Sequence, residues 1–185
     1  AIVPPVDLPK LVAELNALLR LKTTVIGMKL YATVEEMAAI PRVRRPRHVL
    51  ATDQVVGQAA RLGWTVGVTA EDLVGAQCRA VIGLAPTDEE FLKGERYVGV
   101  WHGDAESAAA RQRALDCVPH GQFKAMAVSP ADSGRIPDPD ILLVYATPGQ
   151  MIILINGLQY RDYRKFEWSV VGESACADSW GRALK

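Results

Sequence analysis

Residues 141–160 read ILLVYATPGQMIILINGLQY, a run of 20 residues without a charged side chain. The run is long enough for a transmembrane helix, which needs about 20 apolar residues. However, turn-forming and polar residues interrupt it at 147–150, and Asn156, Gly157 and Gln159 follow. The run therefore predicts two buried core elements joined by a turn, and no membrane span.

The two halves of this run have different periodicities. Residues 141–146 form a short apolar run that is typical of a buried strand. After the turn, Met151, Leu154, Ile155 and Leu158 follow the i, i+3, i+4, i+7 spacing of one helix face. We therefore expect a strand, a tight turn and a helix whose apolar face lies in the core.

The turn itself has the signature of a helix start. Thr147 is a suitable N-cap, Pro148 suits the first helical position, and Gln150 completes a capping box. A helix start presents unpaired N–H groups, and Gly149 lets a ligand approach the backbone closely. Together with Tyr145 at the end of the strand, Thr147, Gly149 and Gln150 are therefore candidate ligand-binding residues.

The composition bounds the possible partners and location. The 185 residues include 21 basic and 21 acidic side chains, so the chain as a whole has no electrostatic attraction for nucleic acid or anionic membranes. Three scattered cysteines fit a reducing compartment, and the first ten residues lack the pattern of a signal peptide. We therefore expect a cytoplasmic protein.

The rest of the chain alternates helix and strand signals without a regular β-α-β order. Helix patterns cover 6–21, 33–40, 52–62, 87–94 and 104–115. Strand patterns cover 23–31, 65–68, 123–128 and 165–171, while 41–48 and 129–140 read as loops. The expected fold is a single mixed α+β domain over 1–175 with a central sheet flanked by short helices. Residues 176–185 are expected to form a separate C-terminal segment.

Lys29 is the first candidate catalytic residue. On a strand over 23–31 it shares a face with Gly27 and Tyr31, because strand side chains alternate. If this face lines a pocket, Lys29 is suited to be an anion clamp, a base or a Schiff-base amine, with Tyr31 as a ligand contact. If the face is solvated, Lys29 is an ordinary surface lysine.

His102 is the second candidate. It follows Trp101 at a predicted strand-to-helix junction, where an imidazole can act as a general acid or base and an indole can contact a ligand. A core tryptophan and a loop histidine explain the same residues. The leading hypothesis is that this junction, Lys29 and the turn after Tyr145 line one pocket for an anionic or aromatic small molecule.

Under this hypothesis the protein is either a binding protein or an enzyme that uses acid–base chemistry with Lys29 or His102 as the proton carrier. The sequence leaves the substrate, the reaction and the cofactor open. Four arginines at positions 42, 44, 45 and 47 add a potential clamp for phosphate or carboxylate, or a solvated loop.

Two alternatives belong to other functional classes. Cys78, Cys117 and His120 are candidate ligands of a metal, or members of a thiol-dependent redox or sensor site, although a single half-motif is weak evidence for zinc. The apolar helix faces also suit a non-catalytic subunit of a complex, which leaves homo-oligomerisation open.

Three segments together resemble the domain of unknown function 169 family. They are LRLKTTVIGMKLYATVEEM at 19–37, AARLG at 59–63 with the following Cys78, and DILLVYATPGQMIILINGLQY at 140–160. Thr24 stands where the first family motif usually has proline. The resemblance covers about 15–175 and implies a strand before Lys29 and a turn before an apolar helix. It also implies that the family continues beyond this chain, so that 176–185 begin an extension, and it implies no activity.

Overall fold

A five-stranded mixed sheet forms the centre of the protein, whose computed structural model describes residues 6–163, 165–167 and 175–185. The strands are β1 (Ile26–Tyr31), β2 (Val43–Arg44), β3 (Thr65–Thr69), β4 (Ala125–Pro130) and β5 (Ile141–Leu143). Their order is β2-β3-β4-β1-β5, with β2 and β3 parallel and the other neighbours antiparallel. The predicted α+β fold is therefore confirmed.

Helices lie on both sides of this sheet. They are α1 (Leu8–Leu19), α2 (Val34–Ala38), α3 (Thr52–Leu62), α4 (Ala76–Val81), α5 (Glu89–Lys93), α6 (Ala105–Arg113), α7 (Pro148–Gln159) and α8 (Ala175–Leu184). Their ends follow local sequence signals, because Asp7 caps α1, Thr33 and Glu36 form a capping box, and Gly63 ends α3 in the left-handed conformation.

The two faces of the sheet bury different residues. Ile26, Met28 and Leu30 of β1 belong to the main core, which also contains the buried face of α3. The apolar residues of that face are Val55, Val56 and Ala59. On the opposite side, the alanines of β4 pack with residues of α2 and the loop after β4 in a smaller cluster.

The structure moves several predicted boundaries. β1 begins at Ile26, because Thr24 bonds with its side chain to Asn16 and Asp132 and so belongs to the preceding turn. The segment 41–48, expected as a loop, contains the short strand β2. The helix expected over 87–94 is shorter, because α5 begins at Glu89 with Asp88 as its N-cap. Of the strand predicted over 165–171, residues 165–167 have no regular structure and 168–171 lie outside the described residues.

The C-terminal segment is part of the domain. Residues 176–185 were expected to be separate, but most of α8 falls within them, and its Trp180 is 5% exposed and belongs to the main core. A Cβ atom at Gly181 would overlap the carbonyl oxygen of Asp116, so the glycine permits this close approach.

The prediction that α7 lies in the core is wrong. None of its residues is buried, and Ile152, Ile153 and Leu158 are each about 60% exposed. The helix is exposed because of its place in the fold. It follows β5, a strand at one edge of the sheet, and other elements already cover the main face of the sheet. Among the helices that the structure describes, none combines the length and the apolar character required to cross a bilayer.

Gly67→Ala tests the tight packing of α2 on β3. A Cβ atom at position 67 would overlap the sulfur of the fully buried Met37 and lie 2.9 Å from a methyl group of Val43. We expect a loss of about 1–3 kcal/mol in the free energy of unfolding, measured by urea denaturation. Gly57→Ala is the control, because it adds a methyl group in open space within α3 and should stabilise the protein by about 0.5–1 kcal/mol. Equal stabilities for the two variants would contradict this account.

Candidate functional site

A cleft of about 540 Å³ lies beside the turn between β5 and α7, and we refer to it as the turn cleft. Three of the ligand-binding residues predicted from the sequence line it, namely Tyr145, Thr147 and Gln150. The other walls come from α3 and from Lys22 and Thr23, which precede β1. The turn cleft is therefore built from three segments that are distant in the sequence.

One face of α3 forms a wall of the turn cleft. Asp53, Gly57, Ala60 and Arg61 line it, and their i, i+4, i+7, i+8 spacing places them on the same side of the helix. Apart from its neighbours in α3, no atom of the described residues lies within 4 Å of the position that a Cβ of Gly57 would occupy. The glycine therefore leaves a notch in this wall.

The turn is held in place by the side chain of Gln150. Its Oε1 accepts hydrogen bonds from the backbone N–H of Thr147 at 2.8 Å and from the Thr147 hydroxyl at 3.0 Å, which confirms the predicted capping box. Its Nε2 donates to the carbonyl oxygens of Leu19 at 2.7 Å and Arg20 at 3.1 Å. Gln150 therefore ties the start of α7 to the end of α1 and positions the wall of the cleft.

Gly149 does not line the cleft, but it leaves open space at the start of α7. Within the described part of the chain, only its own helix neighbours lie within 4 Å of the position that a Cβ of Gly149 would occupy. The backbone at the start of α7 is therefore open to close approach, as the sequence analysis expected. Whether a ligand uses this space stays a prediction.

The polar groups of the turn cleft favour an anion. Lys22 and Arg61 supply two positive charges, and Asp53 supplies one negative charge. The hydroxyl of Thr23 is buried and has no hydrogen-bond partner among the described residues. Buried polar groups normally have a partner, so this unpaired hydroxyl beside the cleft is unusual.

Sequence reasoning missed the residues of α3 and the loop before β1. The helical spacing of Asp53, Gly57 and Arg61 is visible in the sequence, but it does not tell which element they face. Thr23 was assigned to a strand, which concealed its place in a turn. The approach of α3 to the β5–α7 turn is a tertiary contact, and local sequence patterns do not predict such contacts.

Lys29 and Tyr31 lie away from the turn cleft. The strand face that they share was predicted correctly, since Ile26, Met28 and Leu30 face the main core together with α3. Because α3 carries a wall of the cleft, Lys29 points to the opposite side of the sheet. The expectation that Lys29 and the β5–α7 turn line one pocket is therefore wrong.

Two aspartates surround Lys29. Its ammonium group donates to the Asp138 carboxylate and to the Asp138 carbonyl oxygen, both at 2.9 Å, and lies 3.9 Å from Asp140. Asp140 also accepts from the backbone N–H of Leu30 at 2.7 Å. These bonds join the loop before β5 to β1, and the two carboxylates disfavour an anionic ligand at this place.

Trp101 and His102 lie in a different part of the fold, between the 3₁₀ turn at Glu95–Tyr97 and α6. Trp101 is 60% exposed, and the carbonyl oxygen of His102 accepts from the backbone N–H of Gly99 at 2.7 Å. Asp104 caps α6, and the hydrogen bonds from Ser107 lower the pKa of its carboxyl group. Neither Trp101 nor His102 lines the turn cleft.

The cysteine residues give no metal site in the described part of the chain, where no three His, Cys, Asp or Glu side chains are arranged to hold an ion. Cys78 and Cys117 are both half-buried and contact the main core. Burial and, secondly, the carboxylate of Asp116 raise the pKa of the Cys117 thiol, which disfavours the reactive thiolate. The side chain of Cys176 lies outside the described residues.

A family model described as an uncharacterised ArCR, the domain of unknown function 169 (DUF169), matches residues 14–185. The chain therefore belongs to this family, in agreement with the resemblance of its sequence motifs. No curated protein and no solved structure matches the chain.

Tyr31 provides a test of the acidic environment around Lys29. Burial raises the pKa of Tyr31 to about 12, with further contributions from Asp138, Asp140 and Glu36. The unfolded chain releases this proton near pH 10, so folded stability falls as the pH rises from about 10 to about 12. We expect Tyr31→Phe to remove this loss, as measured by the free energy of unfolding across that pH range.

The absorbance of tyrosinate gives a second measurement. Titration of the folded protein should contain a component near pH 12 that is missing in Tyr31→Phe. Tyr163→Phe is the matched control, because the ring of Tyr163 is 90% exposed and its removal should leave that component in place. A component near pH 12 that persists in Tyr31→Phe would contradict the assignment.

Proposed function

We propose that this member of the domain of unknown function 169 family binds a small organic anion in the turn cleft. The observation that carries the proposal is the pairing of Lys22 and Arg61 in one cleft with the apolar surfaces of Tyr145, Ala146 and Ala60. Clefts with apolar walls and a few converging polar groups are the usual form of small-molecule sites.

The charges in the turn cleft are local. The chain has 21 basic and 21 acidic residues, so a positive cleft does not follow from the composition. Arg61 offers a planar set of N–H donors that suits a carboxylate or a phosphate, and Lys22 adds a point charge. The half-exposed ring of Tyr145 offers a surface for an aromatic or apolar body.

The proposal concerns binding and includes no catalytic residue. Lys29 lies on the other side of the sheet with its ammonium group bound to Asp138, and His102 lies beside α6. The acid–base roles predicted for these two residues have no support from the geometry of the turn cleft. The predicted cytoplasmic location is compatible with the proposal and is not needed for it.

The exposed surface of α7 favours a second candidate function, a subunit that associates with a second copy of this chain. Leu18 of α1 and Ile153, Leu154 and Leu158 of α7 line a groove between the two helices. In a two-fold contact, each residue near the axis meets its own equivalent, so charged residues would repel one another. Residues 141–160 carry no charge and avoid this repulsion.

Binding in the turn cleft is tested with benzoate, phenyl phosphate and the uncharged analogue benzamide by thermal shift and calorimetry. We expect the anions to bind more tightly than benzamide, because Lys22 and Arg61 contribute charge-assisted hydrogen bonds. Arg61→Ala and Lys22→Ala should each weaken anion binding by about ten- to a hundredfold, since a hydrogen bond to a charged group contributes about 1.5–3 kcal/mol.

Two further variants distinguish binding in the turn cleft from a general effect of the protein's charge on anion binding. Gly57→Leu fills the notch in α3, where the described residues leave open space, and should block all three ligands without loss of stability. Lys10→Ala is the matched control, because Lys10 is exposed on α1 outside the cleft. Unchanged anion binding in Gly57→Leu and Arg61→Ala would remove the proposal.

Association through α7 is tested by light scattering coupled to size-exclusion chromatography. We expect the wild-type chain to form a dimer and Ile153→Glu to form a monomer with unchanged stability, because the side chain of Ile153 is 61% exposed. Glu14→Ala, at an exposed position on α1, is the control and should remain dimeric. A monomeric wild-type chain would exclude this second candidate.

A further inference from the structure

A second cleft of about 430 Å³ lies between residues 44–48 and Trp64, and we refer to it as the arginine cleft. Arg44, Arg45, Arg47 and His48 line it together with the apolar side chain of Leu50. Gln58 of α3 also lines it, whereas Gly57 and Arg61 line the turn cleft. The two clefts therefore both use α3 as a wall, with different residues of the helix lining each one.

The segment that carries the cations is fixed at both ends. At its start, β2 pairs with β3, with Val43 opposite Thr65 and Arg44 opposite Val66. At its end, the backbone N–H of Leu50 donates to the carbonyl oxygen of Asp72 at 2.9 Å, and the carbonyl oxygen of Leu50 accepts from Val74 at 2.9 Å. Residues 45–49 are thus a short arch between two anchored points.

Two of the arginine side chains are also held in place. The guanidinium group of Arg44 lies over the ring of Trp64, 4.4 Å from its centroid, which is a cation–π contact. Arg45 forms an ion pair with Asp72 and donates to the hydroxyl of Thr69 at 3.2 Å. Because these side chains are ordered before a ligand arrives, less conformational entropy is lost on binding.

The remaining donors are free for an anion. Stacking on Trp64 uses the face of the Arg44 guanidinium, so its N–H groups stay available in the plane, and they bond to no other described residue. Arg47 likewise forms no hydrogen bond within the described part of the chain, and no carboxylate is among the residues that line the cleft. Asp72, the acid beside the cleft, is already paired with Arg45.

We propose that the arginine cleft binds a small organic phosphate, separately from the ligand of the turn cleft. The phosphate group contacts Arg44 and Arg47, whose planar donors match a dianion with several acceptor oxygens. The organic part lies against Leu50 and Pro46, which line the same cleft. A balanced overall charge and a single short basic arch favour a small molecule over nucleic acid.

The test is calorimetric titration of the full chain with phenyl phosphate, inorganic phosphate and benzoate. All titrations use the Arg61→Ala variant, so that the turn cleft contributes little to the signal. We expect phenyl phosphate to bind more tightly than inorganic phosphate, because of the apolar lining, and more tightly than benzoate, because of its second charge. Failure of this test leaves the turn-cleft proposal intact, and failure at the turn cleft leaves this one intact.

Substitutions then identify the site. Arg47→Ala should weaken phenyl phosphate binding about tenfold or more, and Arg47→Lys should restore only part of it, because lysine lacks the planar donor set. Arg113→Ala on α6 is the matched control and should bind as tightly as its parent, since Arg113 is exposed outside both clefts. Arg47 is also exposed, so its replacement is expected to leave the melting temperature unchanged.

Three outcomes would overturn the proposal. The first is equal affinity for phenyl phosphate in Arg47→Ala and Arg113→Ala. The second is binding of benzoate as tight as that of phenyl phosphate. The third is binding of a single-stranded oligonucleotide that is tighter than that of phenyl phosphate and equally sensitive to Arg47→Ala, which would assign the arch to nucleic acid.

Discussion

The burial of α3 against the sheet is the contact on which both clefts depend. Val55, Val56 and Ala59 are fully buried and fix the rotation of the helix about its axis. Because a helix has a period of 3.6 residues, this rotation sets the direction of every other α3 side chain. Gly57 and Arg61 thereby line the turn cleft, and Gln58 lines the arginine cleft. A single packed surface thus defines the shared wall of two clefts.

The sequence predicted the local features well and the tertiary ones poorly. The cap of Thr147, the first helical position of Pro148 and the capping box with Gln150 depend on residues within four positions of one another, so the pattern alone determines them. The alternation of β1 also placed Lys29 on the correct face. Its partners Asp138 and Asp140 lie more than 100 residues further along the chain, where no periodicity connects them to it.

The wrong prediction that α7 lies in the core has a different physical cause. An apolar pattern shows which side chains avoid water, and it does not show whether another element is present to cover them. Of the predicted face, Met151, Leu154 and Ile155 are half-buried. Its fourth residue, Leu158, is 60% exposed. The other side of α7 is equally apolar, however, and Ile152 and Ile153 face solvent there. Ile152 and Ile153 are exposed because α7 follows a strand at the edge of the sheet, and not because of their residue type.

The carboxamide of Gln150 makes α1 and the turn cleft mechanically dependent on each other. One side chain bonds both to the start of α7 and to the last carbonyls of α1, so a shift of either helix displaces the wall that contains Thr147. A molecule in the groove between these helices that displaced either of them would therefore change the affinity of the cleft, and a cleft ligand would then change the affinity of the groove by the same factor. Coupling between the two surfaces would thus pass through a single amide group.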